Sequence, residues 1–366
     1  MADPAATRTQ ARIAGIWLLS RVAVFVIAAV TVRHVLTGSS PVAGFIDSWN
    51  LWETPWYASI AQHGYPGPGD FVYNTAYFPG LALLMVAGSW VGLVPAATGL
   101  IVSFFAGLAA ALALGRLTEL VGGRAEYGVL AWVVAPTAVF LAAPWSEALF
   151  AGLAFWAWVL AKRQAWVLAG VMAGFAALTR INGLFLAVAL VVLFLLHRPR
   201  NWARGTALLI PFAVVAGHFA YLHAATGSWT EWFDVQAEKW DRHLTDPVHA
   251  FLNTYNMIFT FSGTGAPSSR FVMEIAAAAL LLALGVVILV MRWWAEAVYV
   301  LLTVASLVTS TFYYSIPRAA VLLFPVWMLL GLWMTRHRWF RIAYLCVAIP
   351  FLALVVVRFL QGQWIS

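Results

Sequence analysis

Apolar runs near bilayer length recur along almost the whole of this chain, and that recurrence leaves few folds open to it. They occupy residues 13–35, 96–115, 126–143, 146–161, 165–179, 183–196, 205–223, 271–291, 295–313, 318–335 and 340–359. A crossing helix needs about 20 apolar residues to span a hydrocarbon core of about 30 Å. Lipid offers no partner to a backbone N–H or C=O, so each crossing must satisfy its own polar groups as a helix. The expected fold is all-α: a polytopic membrane helix bundle with about eleven crossings. Two runs, 165–179 and 183–196, fall well short of full length and are expected to sit shallow or to span only in part. Composition agrees, since 63% of residues are hydrophobic and 10% charged, against about 25% charged in soluble chains. The first run has no convincing small-residue cleavage site behind it and reads as a retained helix.

The formal net charge of +7 comes from short basic clusters between apolar runs, not from one stripe or patch. That pattern argues against nucleic acid and for topology signals. Lys and Arg accumulate in the loops that stay in the cytoplasm. One more apolar run, 78–94, is interrupted by Gly80, Gly88 and Gly92 and is left as an outer-surface or re-entrant helix. With that choice the inner side holds thirteen of the 21 basic residues, among them Arg12, Arg116, Arg124, Lys162 and Arg292. The amino terminus is then inside and the carboxyl terminus outside. Ten of the 14 acids fall on the outer side. An ionisable group at a membrane is expensive, so acids gathered on one surface mark a candidate site. Arg21 lies inside the first span, where a structural ion pair is expected. Cys346 is the only cysteine, which excludes a disulfide and cysteine redox chemistry. His63 and His243 have no clustered partners, so no metal site is expected.

Two outer segments, 36–77 and 224–270, are long enough to carry structure inside what reads as one integral-membrane domain over residues 1–366. The first holds two expected surface helices and many interfacial aromatics. In the second, Trp229, Trp232 or Phe233, Gln236 and Trp240 share one helix face. That stripe reads as interfacial packing, with sugar stacking as the alternative. No internal repeat is visible, so an inverted-repeat transporter has no support.

The first outer segment contains Asp47, Trp52-Glu53-Thr54-Pro55-Trp56-Tyr57, Ile60-Ala61 and Gly64-Tyr65. Further along come Tyr77-Phe78-Pro79, Pro144-Trp145-Ser146-Glu147, Leu178-Thr179-Arg180 with Gly183-Leu184, Gln236 through Arg242, and Ser315-Ile316-Pro317-Arg318 with Phe324-Pro325. In order and spacing this set resembles the bacterial PIG-V-like relatives of glycosylphosphatidylinositol mannosyltransferase 2, within the GT-C integral-membrane glycosyltransferases. The chain departs from the family pattern where Glu53 replaces the usual Asp and Thr54-Pro55 replaces the small residue after it.

The resemblance implies a bacterial plasma-membrane enzyme working on the outer face. It would move a hexose, mannose by analogy, from a polyprenyl-phosphate sugar to a lipid, glycan or protein acceptor with inversion. No cofactor is implied beyond that donor, and metal dependence stays open. The chemistry needs a carboxylate to take the acceptor proton and cations to hold the phosphate leaving group. Glu53 is the candidate base and Asp47 its competitor. Arg180 and Arg318, with Lys239 and Arg242, are the candidate phosphate contacts, because a guanidinium fork matches phosphate oxygens. Glu147, Trp52, Trp56, Tyr57 and Trp240 are candidates for supporting the site.

From spacing alone Glu53 reads as a solvated loop acid, a reading that only the resemblance reverses, and Glu147 reads equally as an acid favoured at a helix N-terminus. Arg180 and Arg318 have a second, less favoured reading as side chains snorkelling to headgroups, since charges at the membrane edge are functional candidates by default. Two other functions fit the same residues: a catalytically inactive scaffold of the same fold, and a lipid-carrier flippase or transporter.

Overall fold

The computed structural model describes residues 4–35, 41–260 and 268–363. Parts of both expected outer segments, 36–40 and 261–267, lie outside the described residues. Among the described residues the chain is helical, and the one extended pairing is a bridge between Leu244 and Ser310.

In chain order the helices are α1 (Pro4–Val35), α2 (Pro41–Asp47), α3 (Thr54–His63), α4 (Gly80–Ser89), α5 (Pro95–Leu120) and α6 (Ala125–Val133). Then follow α7 (Ser146–Lys162), α8 (Trp166–Thr179), α9 (Asn182–Leu196), α10 (Trp202–Gly205), α11 (Ile210–Thr226) and α12 (Glu231–Trp240). The rest are α13 (Pro247–Thr260), α14 (Ser269–Val290), α15 (Trp294–Val308), α16 (Ile316–Ala319), α17 (Phe324–Arg336) and α18 (Arg338–Leu360). Among the described residues, five helical stretches are long and apolar enough to cross alone: Thr7–Arg33, Pro95–Leu120, Trp202–Thr226, Ser269–Val290 and Arg338–Leu360. A sixth, Ile316–Leu322 with Phe324–Arg336, bends by 78°. The chain is a multi-pass membrane protein.

The remaining expected crossings are shorter than a bilayer core. At 1.5 Å per residue the 14 residues of α8 and the 15 of α9 reach only about 21–23 Å. The ten residues of α4 reach about 15 Å, half the hydrocarbon thickness.

The run expected at 126–143 is interrupted. Helix α6 stops at Val133, and a 3-10 turn covers Pro136–Leu141. Pro136 has no N–H and disfavours helix at the residue before it. Irregular backbone at this depth is tolerated only inside protein, and most of residues 131–148 are buried. Here the expectation for Arg21 is corrected. Its Nη1 donates to the Ala138 carbonyl at 3.2 Å and its Nη2 to the Val133 carbonyl at 3.5 Å. Its guanidinium carbon lies 4.5 Å from the Trp17 ring centre. Among the described residues no carboxylate pairs with it. A helix ended early leaves carbonyls without donors, and Arg21 supplies them.

Helices α5 and α7 lie against each other through small residues. A Cβ on Gly152 would stand 2.8 Å from the Ala106 carbonyl oxygen, so only glycine allows that approach. Lipid tails are as apolar as leucine, so close backbone packing takes over from the hydrophobic effect in holding such pairs.

Candidate active site

Glu53 precedes α3, with αR backbone and no side-chain cap of its own. The Thr54-Pro55 departure suits that position. Proline is tolerated in a first helical turn, where its missing N–H has no partner to lose. The buried Thr54 hydroxyl donates to the Trp49 carbonyl at 3.1 Å and accepts the Trp145 indole N–H at 3.1 Å. The helix start is thereby pinned to the residue just before α7, and the Glu53 carboxylate is left free of capping duty.

Arg180 stands in extended backbone between α8 and α9. The turn is tight because a Cβ on Gly183 would fall 2.3 Å from the Ala177 Cα. Arg318 sits in the short α16, ahead of the bend into α17. These three segments and the first turn of α7 converge. Arg318 donates from Nη1 to Glu53 Oε1 at 2.5 Å and from Nη2 to Glu53 Oε2 at 2.8 Å. It also donates from Nε to Glu147 Oε1 at 2.5 Å, and its Nη2 closes on the same oxygen. Arg180 Nη1 donates to Glu147 Oε1 and to Ser146 Oγ, both at 2.8 Å. Ser146 Oγ also accepts the Tyr57 hydroxyl at 2.9 Å. Under Arg318 lie the Trp145 ring at 4.4 Å and the Phe140 ring at 5.2 Å. Glu147 is fully buried and Arg318 only 4% exposed. Neither behaves as a capping acid or a snorkelling arginine.

Burial pushes the Glu53 carboxyl up, but the Arg318 guanidinium, helped by Arg180 and Arg242, outweighs it and holds Glu53 below its ordinary value. Glu53 is therefore a carboxylate at neutral pH. Burial pushes the Tyr57 hydroxyl upward, so it stays a donor to Ser146.

Glu53 and Arg318 open onto a cleft of about 940 Å³. Its roof is α12, latched to the 3-10 segment Gly69–Ala76 by three contacts across the two loops. Thr75 donates to Glu231 at 2.9 Å, Tyr73 to Glu238 at 2.8 Å, and the Trp232 indole to the Ala76 carbonyl at 3.0 Å. Trp56, Tyr77 and Trp240 form one aromatic cluster, with ring centres 5.8–6.0 Å apart. Trp52, Tyr57 and Arg242 also line the cleft.

Two expected residues stay outside this group. Asp47 is exposed at the end of α2, and the cleft wall does not include it. Lys239 is exposed at the rim, its Nζ 4.9 Å from the Tyr73 ring centre and 6.0 Å from that of Trp56. Trp229 stacks on His223 at 4.2 Å, ahead of α12. Among the described residues no three His, Cys, Asp or Glu side chains converge to hold a metal ion.

Glu274 was not singled out by the sequence reading. Fully buried in α14, it accepts the Ser315 N–H at 2.7 Å and the Ile316 N–H at 2.8 Å. Ser315 has left-handed backbone with φ 64°, which is unfavourable for a residue with a Cβ. The two N–H contacts hold it there and so aim α16 and Arg318. The signal was present, since Glu274 is the one acid in the run 271–291 and an acid in such a run is a functional candidate by default.

Each ion pair among the described residues joins two groups that the charge count assigns to the same side. Arg12, Arg124 and Glu126 cluster at one end with Lys162 and Glu296, and the quartet of Glu53, Glu147, Arg180 and Arg318 forms separately.

No family model matches the chain. Curated relatives do. It is 34% identical to GPI alpha-1,6-mannosyltransferase 2 of Cricetulus griseus over 170 residues, 43% of this chain and 32% of that protein. It is 29% identical to GPI mannosyltransferase 2 of Yarrowia lipolytica over 202 residues, 53% of this chain and 55% of that protein. With GPI alpha-1,6-mannosyltransferase 2 of Mus musculus it shares 34% identity over 185 residues, 47% of this chain and 36% of that protein. The chain thus spans between a third and just over half of the length of these relatives. With these matches and the motif order together, the chain is similar, over part of its length, to the GPI mannosyltransferase 2 proteins.

Proposed function

We propose that this protein is an inverting glycosyltransferase that moves mannose from a polyprenyl-phosphate carrier to a lipid, glycan or protein acceptor at the outer face of the membrane. The observation that carries the reading is the Glu53 carboxylate, ionised and gripped by Arg318 at the wall of a cleft of about 940 Å³. The sugar is taken from the names of the relatives. The outer face is supported by the basic asymmetry and by the sorting of ion pairs into two same-side groups.

In the proposed reaction the acceptor hydroxyl gives its proton to Glu53 as its oxygen attacks the anomeric carbon. The bond from that carbon to the phosphate oxygen breaks, and its electron pair leaves on the phosphate. Guanidinium groups of the cleft meet that charge. A carboxylate held far below neutrality is a weak base. Phosphate bound nearby offsets the arginine field and raises the basicity of Glu53, so the base is strongest when the donor is in place.

The test compares mannose transfer from a polyprenyl-phosphate donor by purified wild type, Glu53→Gln and Asp47→Asn. Glu53→Gln is expected to lose at least about 100-fold, the range of general-base catalysis, with Asp47→Asn close to wild type. Loss in Asp47→Asn alone would move the base. A folded wild type that binds carrier yet transfers no sugar would overturn the reading in favour of a scaffold.

A further inference from the structure

Helix α13 carries a face that the proposed reaction does not use. Asp246 starts the helix by accepting the Val248 and His249 N–H groups, both at 3.1 Å, and Pro247 opens its first turn. The stretch Pro247–Thr260 contains no Lys, Arg, Asp or Glu. At about 100° per residue its side chains divide into three sectors. Ala250, Thr254 and Ile258 are buried against the bundle. Val248, Phe251, Leu252, Tyr255 and Phe259 stand 40% to 65% exposed and share an arc of about 100°. His249, Asn256 and Thr260, exposed as well, fill a separate arc of about 40°.

This helix does not cross a membrane. Its 14 residues reach about 21 Å, and it is fastened along its whole length to one end of the bundle. Just ahead of it, the Thr245 N–H donates to the Thr309 carbonyl at 2.8 Å, and Leu244 bridges Ser310. Midway, Asn253 donates to the Thr311 carbonyl at 2.9 Å and the Thr254 hydroxyl oxygen accepts the Tyr313 N–H at 2.8 Å. At its end the Ile258 carbonyl accepts the Ser268 N–H at 2.7 Å, one residue before the crossing helix α14 begins. Helix α13 therefore lies where α15 ends and α14 starts, at the level where a crossing helix leaves the hydrocarbon.

Three sectors call for three surroundings. In water, five large apolar side chains on one face would be an exposed patch without a purpose. In hydrocarbon, Asn256 and His249 would be costly to bury. A helix lying in the plane of the interface meets protein on one side, acyl chains on the second and headgroup water on the third. Phe251, Tyr255 and Phe259 form a ladder of rings, with successive centres 6.3 and 5.4 Å apart, and amphipathic rings such as that of Tyr255 concentrate at headgroup level. The polar sector holds no Lys or Arg, so zwitterionic lipid suffices as the partner.

We infer that α13 is an interfacial anchor, whose face of Phe251, Tyr255 and Phe259 docks into the boundary between headgroups and acyl chains of a phospholipid leaflet. Only Thr245 and Asp246 separate α13 from Leu244 in the cleft wall, so the anchor sets that wall at headgroup level. The inference stands without the transferase reading, and its test needs no turnover.

The full chain, with Cys346→Ser, would be placed in phosphatidylcholine vesicles carrying one fluorescently labelled cysteine at a time. Phe251→Cys, Tyr255→Cys and Phe259→Cys probe the apolar sector, Asn256→Cys and Thr260→Cys the polar one, and Leu244→Cys the cleft wall; every one of these positions is exposed. Quenching by lipid nitroxides at known depths and by iodide in the water reads the surroundings of each label. The apolar-sector labels are expected about 5–10 Å into the headgroup and acyl boundary and protected from iodide, whereas the polar-sector labels should be reached by iodide. The Leu244 label should be quenched by headgroup nitroxides. Iodide reaching both sectors alike would overturn the anchor, as would deep nitroxides quenching both alike. Apolar-sector labels shielded from both quenchers would overturn it in favour of a protein partner. A Leu244 label quenched by iodide alone would sink the placement of the cleft wall.

Discussion

Arg318 grips Glu53 through two parallel hydrogen bonds, Nη1 to Oε1 at 2.5 Å and Nη2 to Oε2 at 2.8 Å, across 265 residues of chain. The same guanidinium closes on Glu147. One side chain therefore ties the segment before α3 to the start of α7 and to the bend at α16. Where a surface ion pair contributes about 0–1 kcal/mol, removing one partner of a buried pair costs about 3–5 kcal/mol, because the other charge stays behind.

Arg318→Gln is expected to lower thermal stability sharply, by an amount in that 3–5 kcal/mol range, since Glu53 and Glu147 keep their burial without their cation. The combination of Arg318→Met with Glu53→Gln and Glu147→Gln should recover much of the loss. Thermal unfolding in detergent followed by tryptophan fluorescence reads both. A single variant that melts with wild type would show that the pair contributes nothing net.

The pH dependence follows from the sign of the Glu53 shift. Its folded value lies below the ordinary 4.5, so its contribution is fully present above the unfolded value and is lost as pH falls through the folded one. The melting difference between wild type and Glu53→Gln should hold steady from neutral pH down to about 4.5 and shrink only below it. A difference that already collapses near pH 6 would contradict an arginine-held carboxylate.

Glu53→Asp restores the residue usual in the resembling family but draws the carboxylate back by one methylene. Because α3 is pinned through Thr54 and Trp145, the backbone cannot follow. A displacement of this size costs about 100-fold in rate, with carrier affinity little changed. Single-turnover mannose transfer beside equilibrium carrier binding separates the two quantities, and a fully active Asp variant would rule out tight positional control.

Glu274 acts as a positioning residue. Glu274→Gln keeps one acceptor oxygen for Ser315 or Ile316 and turns an amide toward the other N–H, which loosens the aim of Arg318. Turnover should fall by roughly tenfold, the equivalent of one hydrogen bond to a charged group, and KM should change little. The acid limb of the pH–rate profile should move upward as Arg318 releases Glu53. A profile that keeps the wild-type shape while turnover drops would assign Glu274 a purely structural role.

Hydropathy made the membrane class legible, because a run of apolar residues carries its meaning locally. The motif order put Glu53, Glu147, Arg180 and Arg318 among the candidates, and the charge count assigned all four to one side. Continuous helix was overread at 126–143, where Pro136 breaks the run and buried protein, not lipid, surrounds the break. Arg21 went to backbone carbonyls instead of an acid, since the demand for donors arises only once α6 ends early.

What the sequence determined by itself was the class of fold and which titratable groups share a face. Those follow from segment length, helical period and the distribution of Lys and Arg, all of them short-range properties. Only the tertiary structure decided which carboxylate each arginine takes, that Asp47 stands apart from the cleft, that Glu274 aims Arg318, and that Arg242 and Arg270 meet at Tyr314. The physical reason is that partner choice for a buried charge depends on distances and desolvation between segments hundreds of residues apart, and no local pattern encodes those.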